Sequence, residues 1–243
     1  MAEGAKIVDV ALQSDCTIES VFVAAGGRDN PAVAALLSSA AERGARIFDL
    51  ASGVMERVAD TVNPQPVCAV VAAVDISLEQ LLVPRPAADR LLLVCADVRD
   101  PGNLGSVLRI SAASGIAGVV VCAGSVDPYN PKTVRASAGA VFRVPLVKSP
   151  DPVTTLRELR AGGVRLLGTA AAGGTDYLDA DLDGDVALVL GNEASGLPAG
   201  LETALDGAVT IPMAEGTESL NVAMTAAVLG FEAARRRRLA PPP

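Results

Sequence analysis

Short runs of apolar residues alternate with amphipathic stretches along this chain, and in its second half the runs are apolar at nearly every position. Over the first 74 residues, helical periodicity covers 5–13, 31–43 and 53–62, and strand-like runs cover 18–24, 46–50 and 67–74. A polar stretch containing Pro84 and Pro86 follows, which predicts a small α/β unit at 1–74, a linker at 75–88 and a larger unit at 89–243. In the larger unit the pattern predicts strands at 91–96, 118–122, 164–169, 186–190 and 208–211, and helices at 104–114, 131–138, 153–161 and 220–237. Runs such as Leu-Leu-Leu-Val-Cys at 91–95 leave no polar face, as expected of a mostly parallel sheet covered on both sides. The predicted fold class is α/β in both units.

Composition narrows the chemistry. The 243 residues contain no histidine, which removes the commonest general base, the commonest metal ligand and every Ser-His or Cys-His pair. Cys16, Cys68, Cys95 and Cys122 are far apart and form no Cys-x-x-Cys pair, so neither disulfides nor a bound metal is expected. No apolar run approaches the roughly 20 residues that span a bilayer, and no secretory leader opens the chain, so the cytoplasm is the expected compartment. The net charge is -8, but it is uneven: residues 89–148 carry seven basic side chains against four acidic ones, while both flanks are acidic. One block is therefore basic, and Lys132, Arg135 and Arg143 within it are the candidate contacts for a nucleic acid.

Three strand-end turns carry the candidate chemistry. The segment 97–105 follows a buried strand and opens a helix, where free N–H groups and the helix dipole favour an anion. Local physics leaves open whether Gly102 and Gly105 serve a ligand or only a tight turn, and it favours a solvated charge for Arg109. A dinucleotide fold is disfavoured because the G-x-G-x-x-G spacing is missing, and an NTPase because Gly174 stands where a phosphate loop needs lysine. Asp179 to Gly184 imitates a calcium loop without its closing glutamate, and reads as an acidic surface loop. The second turn, 188–198, puts Glu193 just beyond a strand's carboxyl end, where open α/β sheets collect ligands. The third, 211–223, leads into the last helix, with Ser219 as its expected cap.

Taken in order, Asn103-x-Gly105-x-x-x-Arg109, Gly191-Asn-Glu193-x-x-Gly196 and Ile211-Pro-Met213 with Ser219-Leu-Asn221-Val-Ala223 resemble the three motifs of the SpoU (TrmH-like) RNA 2'-O-ribose methyltransferases of the SPOUT superfamily. Residues 1–74 resemble, less sharply, the ribosomal-protein-like (L30e-like) RNA-binding domain that precedes the catalytic domain in many members. The resemblance implies a trefoil-knotted catalytic domain, a homodimer built on the last helix, and S-adenosylmethionine held at Thr169, Gly191, Ile211 and Leu220. It assigns Arg109 to the reacting 2'-hydroxyl and Asn103, Glu193, Ser219 and Asn221 to substrate and loops. Because guanidinium stays protonated, Arg109 is expected to orient a phosphate and polarise the hydroxyl. A branched side chain at Gly191 is expected to fill space the cofactor needs. Ribosomal RNA is the expected substrate ahead of transfer RNA; a base-nitrogen methyltransferase of the same superfamily and a non-catalytic ribosome-assembly factor are the rival readings.

Overall fold

The computed structural model describes residues 1–59, 61–83 and 90–239. Residue 60, residues 84–89 with the proline-rich end of the expected linker, and residues 240–243 lie outside them.

The first unit is a four-stranded sheet with strands β1 (Ala2–Glu3), β2 (Ile18–Val23), β3 (Arg46–Asp49) and β4 (Val67–Val71), in the order β1-β4-β2-β3. Helices α1 (Ala5–Gln13) and α2 (Pro31–Glu42) cover one face, burying Val8, Leu12, Val33, Leu36 and Leu37 against Val21, Val23 and Ala69. The expected helix at 53–62 shrinks to one turn, α3 (Met55–Val58). Gly53 ahead of it has a φ of 80° and Asn63-Pro64 follows it, so little chain between them can stay helical.

Within the segment read as a linker, Asp75 bridges to Leu146 and a short helix, α4 (Leu78–Leu82), forms under a Ser77–Gln80 capping box. Its Leu81 is buried against Gly118, where a Cβ would lie 2.4 Å from the leucine methyl. The second unit contains β5 (Leu91–Cys95), α5 (Pro101–Ser114), β6 (Gly118–Cys122), α6 (Pro131–Ala136), β7 (Leu146–Ser149), α7 (Pro152–Ala161), β8 (Arg165–Ala170), β9 (Thr175–Asp176), β10 (Val186–Leu190), β11 (Gly207–Thr210) and α8 (Val222–Leu239). Strands β7, β9 and β1 were not expected, being too short or too polar to show a period. All pairs in this sheet are parallel, in the order β7-β6-β5-β10-β8-β11-β9. Every residue of β5, β6 and β10 is buried. Alternate side chains serve opposite layers: Leu91, Leu93 and Cys95 meet α5 and α8, while Leu92 and Val94 meet α4 and α7. Just before the amino ends of the two central strands the buried Arg90 pairs with Asp185, pinning β5 to β10 and holding that carboxyl below the usual carboxylate range.

Two local signals set the site-bearing helices. Asp100 accepts from Asn103 N at 2.8 Å and Pro101 occupies the first turn, so α5 starts three residues before its expected first turn. Gly105 on this helix is not a turn glycine: a Cβ there would lie 2.4 Å from Ala136 Cβ and 2.8 Å from Thr133 O, so it lets α5 and α6 pack closely. Helix α8 begins at Val222, and its cap is Asn221, whose Oδ1 accepts from Ala223 N at 2.9 Å; the expected cap, Ser219, lies two residues outside.

The far end of α8 is held by a charged clasp. Glu232 accepts from Arg235 at 2.8 Å and from Arg236 at 2.7 Å, and Arg236 also donates to the carbonyls of Tyr177, Leu178 and Ala180. The two guanidinium groups lower the Glu232 pKa to about 2. A depressed carboxylate contributes stability above its unfolded pKa, near 4.3, and loses it as pH falls through its folded value. Glu232→Gln is therefore expected to cost about 1–2 kcal/mol at pH 7, more than an ordinary exposed pair because the contacts are bidentate and shared. Urea midpoints at pH 7 and pH 3.5 check this: the gap between variant and wild type should shrink at the lower pH, and an equal gap at both would refute it.

Candidate active site

Strands β8, β10 and β11 lie side by side, so the loops leaving their carboxyl ends converge. They enclose a cavity of about 430 Å3, within the usual range for small-ligand sites. Thr169, Gly191, Ile211 and Leu220, the four positions expected to hold cofactor, all line it, with Val209, Met213 and Val222 as further apolar wall and Glu193 and Glu218 as acidic rim. Ser219 is also on the wall. The Thr169 hydroxyl is spent on Val189 O at 3.1 Å, tying β8 to β10, so its contribution to the cavity is its methyl and main chain.

The loop after β10 owes its shape to two residues. Asn192 and Gly196 exchange main-chain hydrogen bonds of 2.8 and 2.9 Å, and the Asn192 side chain accepts from Ala194 N at 3.0 Å. Gly196 closes the turn with a φ of 70°, which only glycine adopts without strain. A Cβ on Gly191 would lie 2.3 Å from Gly196 O and 2.6 Å from Leu197 N. The expectation that a side chain there would simply fill cofactor space is corrected: it would first strike the main chain of its own loop.

Beside the cavity, Glu193 of its lining joins two residues from distant segments in one chain of hydrogen bonds. Asn103 Nδ2 donates to Glu193 Oε1, and Asn221 Nδ2 donates to Asn103 Oδ1 at 2.9 Å. The amide of Asn103 thus links the β10 loop to the start of α8, while its main-chain N–H is held by Asp100. Asn221 serves twice, since its Oδ1 caps α8.

Arg109 is elsewhere. Six residues from Asn103, it sits about 240° further round the helix, is exposed, and does not line the cavity. Among the described residues no hydrogen bond or ion pair engages it. The three basic candidates also separate. Lys132 is exposed at the start of α6, but Arg135 lies 3.8 Å from the buried Glu3 and Arg143 donates to Gln13 at 3.2 Å, so these two join the second unit to the first. A second cavity, about 650 Å3, lies across the same loop and is lined by Asp97, Arg99, Gly124, Ser195 and Glu202 among others. Sequence reasoning missed Asn192 and Glu218, although both adjoin motif residues, and missed the Asp97–Arg99 pair, which no spacing rule marks.

The arrangement fits a cofactor that is part apolar and part cationic. Val209, Ile211, Leu220 and Val222 offer a flat apolar wall, and Glu193 and Glu218 offer negative charge at the mouth. Residues 90–231 match the SpoU rRNA Methylase family, and residues 1–76 match the family described as RNA 2'-O ribose methyltransferase substrate binding. The chain is 32% identical over 231 residues to the Bacillus subtilis 23S rRNA (guanosine(2553)-2'-O)-methyltransferase RlmP, covering 95% of this chain and 86% of that protein. It is 34% identical to a Xanthomonas axonopodis 23S rRNA (guanosine-2'-O-)-methyltransferase RlmB, covering 96% of this chain and 95% of the relative. Among solved structures, the AdoMet-bound rRNA methyltransferase from Sinorhizobium meliloti superposes with a TM-score of 0.83 at 30% identity, over 99% of this chain and 87% of that one. The SpoU methyltransferase AviRb from Streptomyces viridochromogenes in complex with AdoMet gives 0.83 at 28% identity, over 98% and 90%. With its strand-end cavity, its shared rim of Asn103, Glu193 and Asn221 and these matches along its whole length, the chain belongs to the SpoU rRNA methylase family.

Proposed function

We propose that this protein methylates a ribose 2'-hydroxyl of ribosomal RNA, using S-adenosylmethionine bound in the 430 Å3 cavity. The observation that carries the reading is that four cofactor positions, scattered from Thr169 to Leu220 in the chain, line that one cavity beside the Asn103–Glu193–Asn221 chain. When bound, the cofactor supplies a methyl group on a sulfonium, open to in-line displacement by the ribose oxygen. The protein's part is placement. Thr169, Gly191, Ile211 and Leu220 would hold the cofactor, Glu193 and Asn103 would fix the loop beside it, and Ser219 and Asn221 would face the incoming nucleotide. Arg109 would grip the adjacent phosphate and polarise the hydroxyl, since guanidinium is a poor base. In this reading residues 1–74 form the RNA-binding domain and 89–243 the catalytic domain, and of the three basic candidates Lys132 is the one whose side chain has no ion pair or hydrogen bond among the described residues, while Arg135 faces Glu3 and Arg143 donates to Gln13. Mapping ribose methylation across ribosomal and transfer RNA with and without the gene tests it, and an unchanged map would reject it.

The same reading includes a homodimer and a trefoil knot at the C-terminal end of the catalytic domain. Insertion of β10 between β5 and β8, after β8 and β9 are already laid down, supports the second. For the first, α8 leaves Met224 59% and Phe231 46% exposed with Val228 between them, while its other face is buried. That exposed stripe would meet its copy, and α5, which bears Arg109, packs against the same helix. Light scattering is expected to give twice the 24.5 kDa chain mass at micromolar concentration; a single 24.5 kDa species would exclude the dimer. A ribosomal substrate would place the protein in the cytoplasm.

A further inference from the structure

The face of the first sheet turned away from α1 and α2 is only half covered. Over β1 and β4, Met55 touches Cys68 at 3.8 Å, and Thr61 and Gln65 hydrogen-bond to Glu3. Over β2 and β3 the register places Phe22 opposite Phe48 and Ser20 opposite Arg46 on this same side. The two rings stack with centroids 5.3 Å apart and planes 17° from parallel. Arg46 lies 5.9 Å from the Phe48 centroid, and Phe48, on the edge strand, is 41% exposed. This chain has four phenylalanines, two tyrosines and no tryptophan, so a third of its aromatic side chains stand on one open patch.

We propose that Phe48, backed by Phe22 and flanked by Arg46, is a stacking platform for an unpaired nucleobase of the RNA substrate. A base needs a flat π surface, and Phe22 behind Phe48 keeps that ring from turning inward; the Arg46 guanidinium, which stands over the ring, would swing aside to the phosphate as the base enters. Arg46 adds a cation for the neighbouring phosphate, giving a charge match that an apolar protein partner would not need. Residues 1–88 carry six basic side chains against eleven acidic, so diffuse attraction to RNA is weak here and stacking must supply the hold. This inference rests on the reading of the substrate as RNA, and names which surface of the first unit meets it.

The test uses the full chain and a 12-nucleotide single-stranded RNA with a central 2-aminopurine, whose fluorescence falls when the base stacks. Wild type should lower its fluorescence, and adding wild type to the same sequence in a duplex should produce no further fall. Phe48→Ala should weaken binding roughly five- to a hundredfold and abolish the quench, and Phe48→Tyr should restore both. Arg46→Gln should keep the quench and reduce the salt slope of binding by about one. S-adenosylmethionine affinity should not move in any of these variants, because neither Phe48 nor Arg46 lines the cavity, and Phe48→Ala should lower the melting temperature by only a few degrees through loss of the stack on Phe22, a loss that Phe48→Tyr avoids. Quenching by Phe48→Ala as strong as wild type, or none by wild type, overturns the platform whatever the methylation map shows. Failure of wild type to bind S-adenosylmethionine would instead remove the enzymatic reading while leaving the platform's result intact.

Discussion

Arg109→Lys is expected to lower single-turnover methyl transfer by orders of magnitude while cofactor affinity and melting temperature stay near wild type. Lysine keeps the charge but loses the planar two-pronged donor that can grip a phosphate and a ribose oxygen together. Where rate depends on placing two reactants, a small error in position is costly. The exposed setting of Arg109 makes this a clean test: nothing among the described residues leans on its guanidinium, and it does not line the cavity, so neither folding nor cofactor binding has a reason to suffer. Among the described residues Arg109 makes no hydrogen bond or ion pair with Asn103, Glu193 or Asn221, so a part in the proposed reaction would come through the RNA phosphate or a second protomer. A lysine variant with wild-type single-turnover rates on cognate RNA would remove Arg109 from the chemistry and return it to the role of a solvated surface charge.

Gly191→Ala is expected to weaken S-adenosylmethionine binding at least about tenfold and to lower the melting temperature by several degrees. The added Cβ would stand 2.3 Å from Gly196 O and 2.5 Å from its carbonyl carbon, and main-chain atoms cannot swing aside as a side chain could. The loop must open, which breaks the Asn192–Gly196 pairing, shifts a wall of the cavity and draws Glu193 from Asn103. Overpacking of this kind costs about 1–3 kcal/mol, and 1.4 kcal/mol is already a factor of ten in affinity. Gly207→Ala is the control, because a Cβ there meets only Leu167 at an ordinary 3.5 Å. Calorimetry giving Gly191→Ala the affinity of Gly207→Ala would show that the loop tolerates the collision and that the cavity wall is not set by Gly191.

The sequence by itself determined the elements whose signals are local. Unbroken apolar runs at 91–95, 118–122 and 186–190 could only be strands buried on both faces, and all three are. The start of α5 was written in Asp100-Pro101 and its end in Gly115, though the expected start came late because Asn103 was read as part of the turn. The order of three motifs was legible as well, because each sits where a strand ends.

Tertiary structure decided what depends on neighbours far along the chain. Leu78–Leu82 is too short to show a period; its Ser77–Gln80 capping box is local, but so short a helix is held by Leu81 finding room against Gly118. Gly105 could be read as serving a ligand or a tight turn, and only the approach of α6 gives it its reason. Asn103, Glu193 and Asn221 are separated by 90 and 118 residues, and nothing in their local sequences says that two carboxamides and a carboxylate will share hydrogen bonds. They meet because β10 enters the sheet between β5 and β8, which sets the loops after β8, β10 and β11 around one cavity. Arg135 and Arg143 read as free cations from charge alone, yet one faces Glu3 and the other Gln13 once the two units are packed. Periodicity reports which face of an element is buried; what stands opposite that face is set by strand order, and strand order is a property of the whole chain.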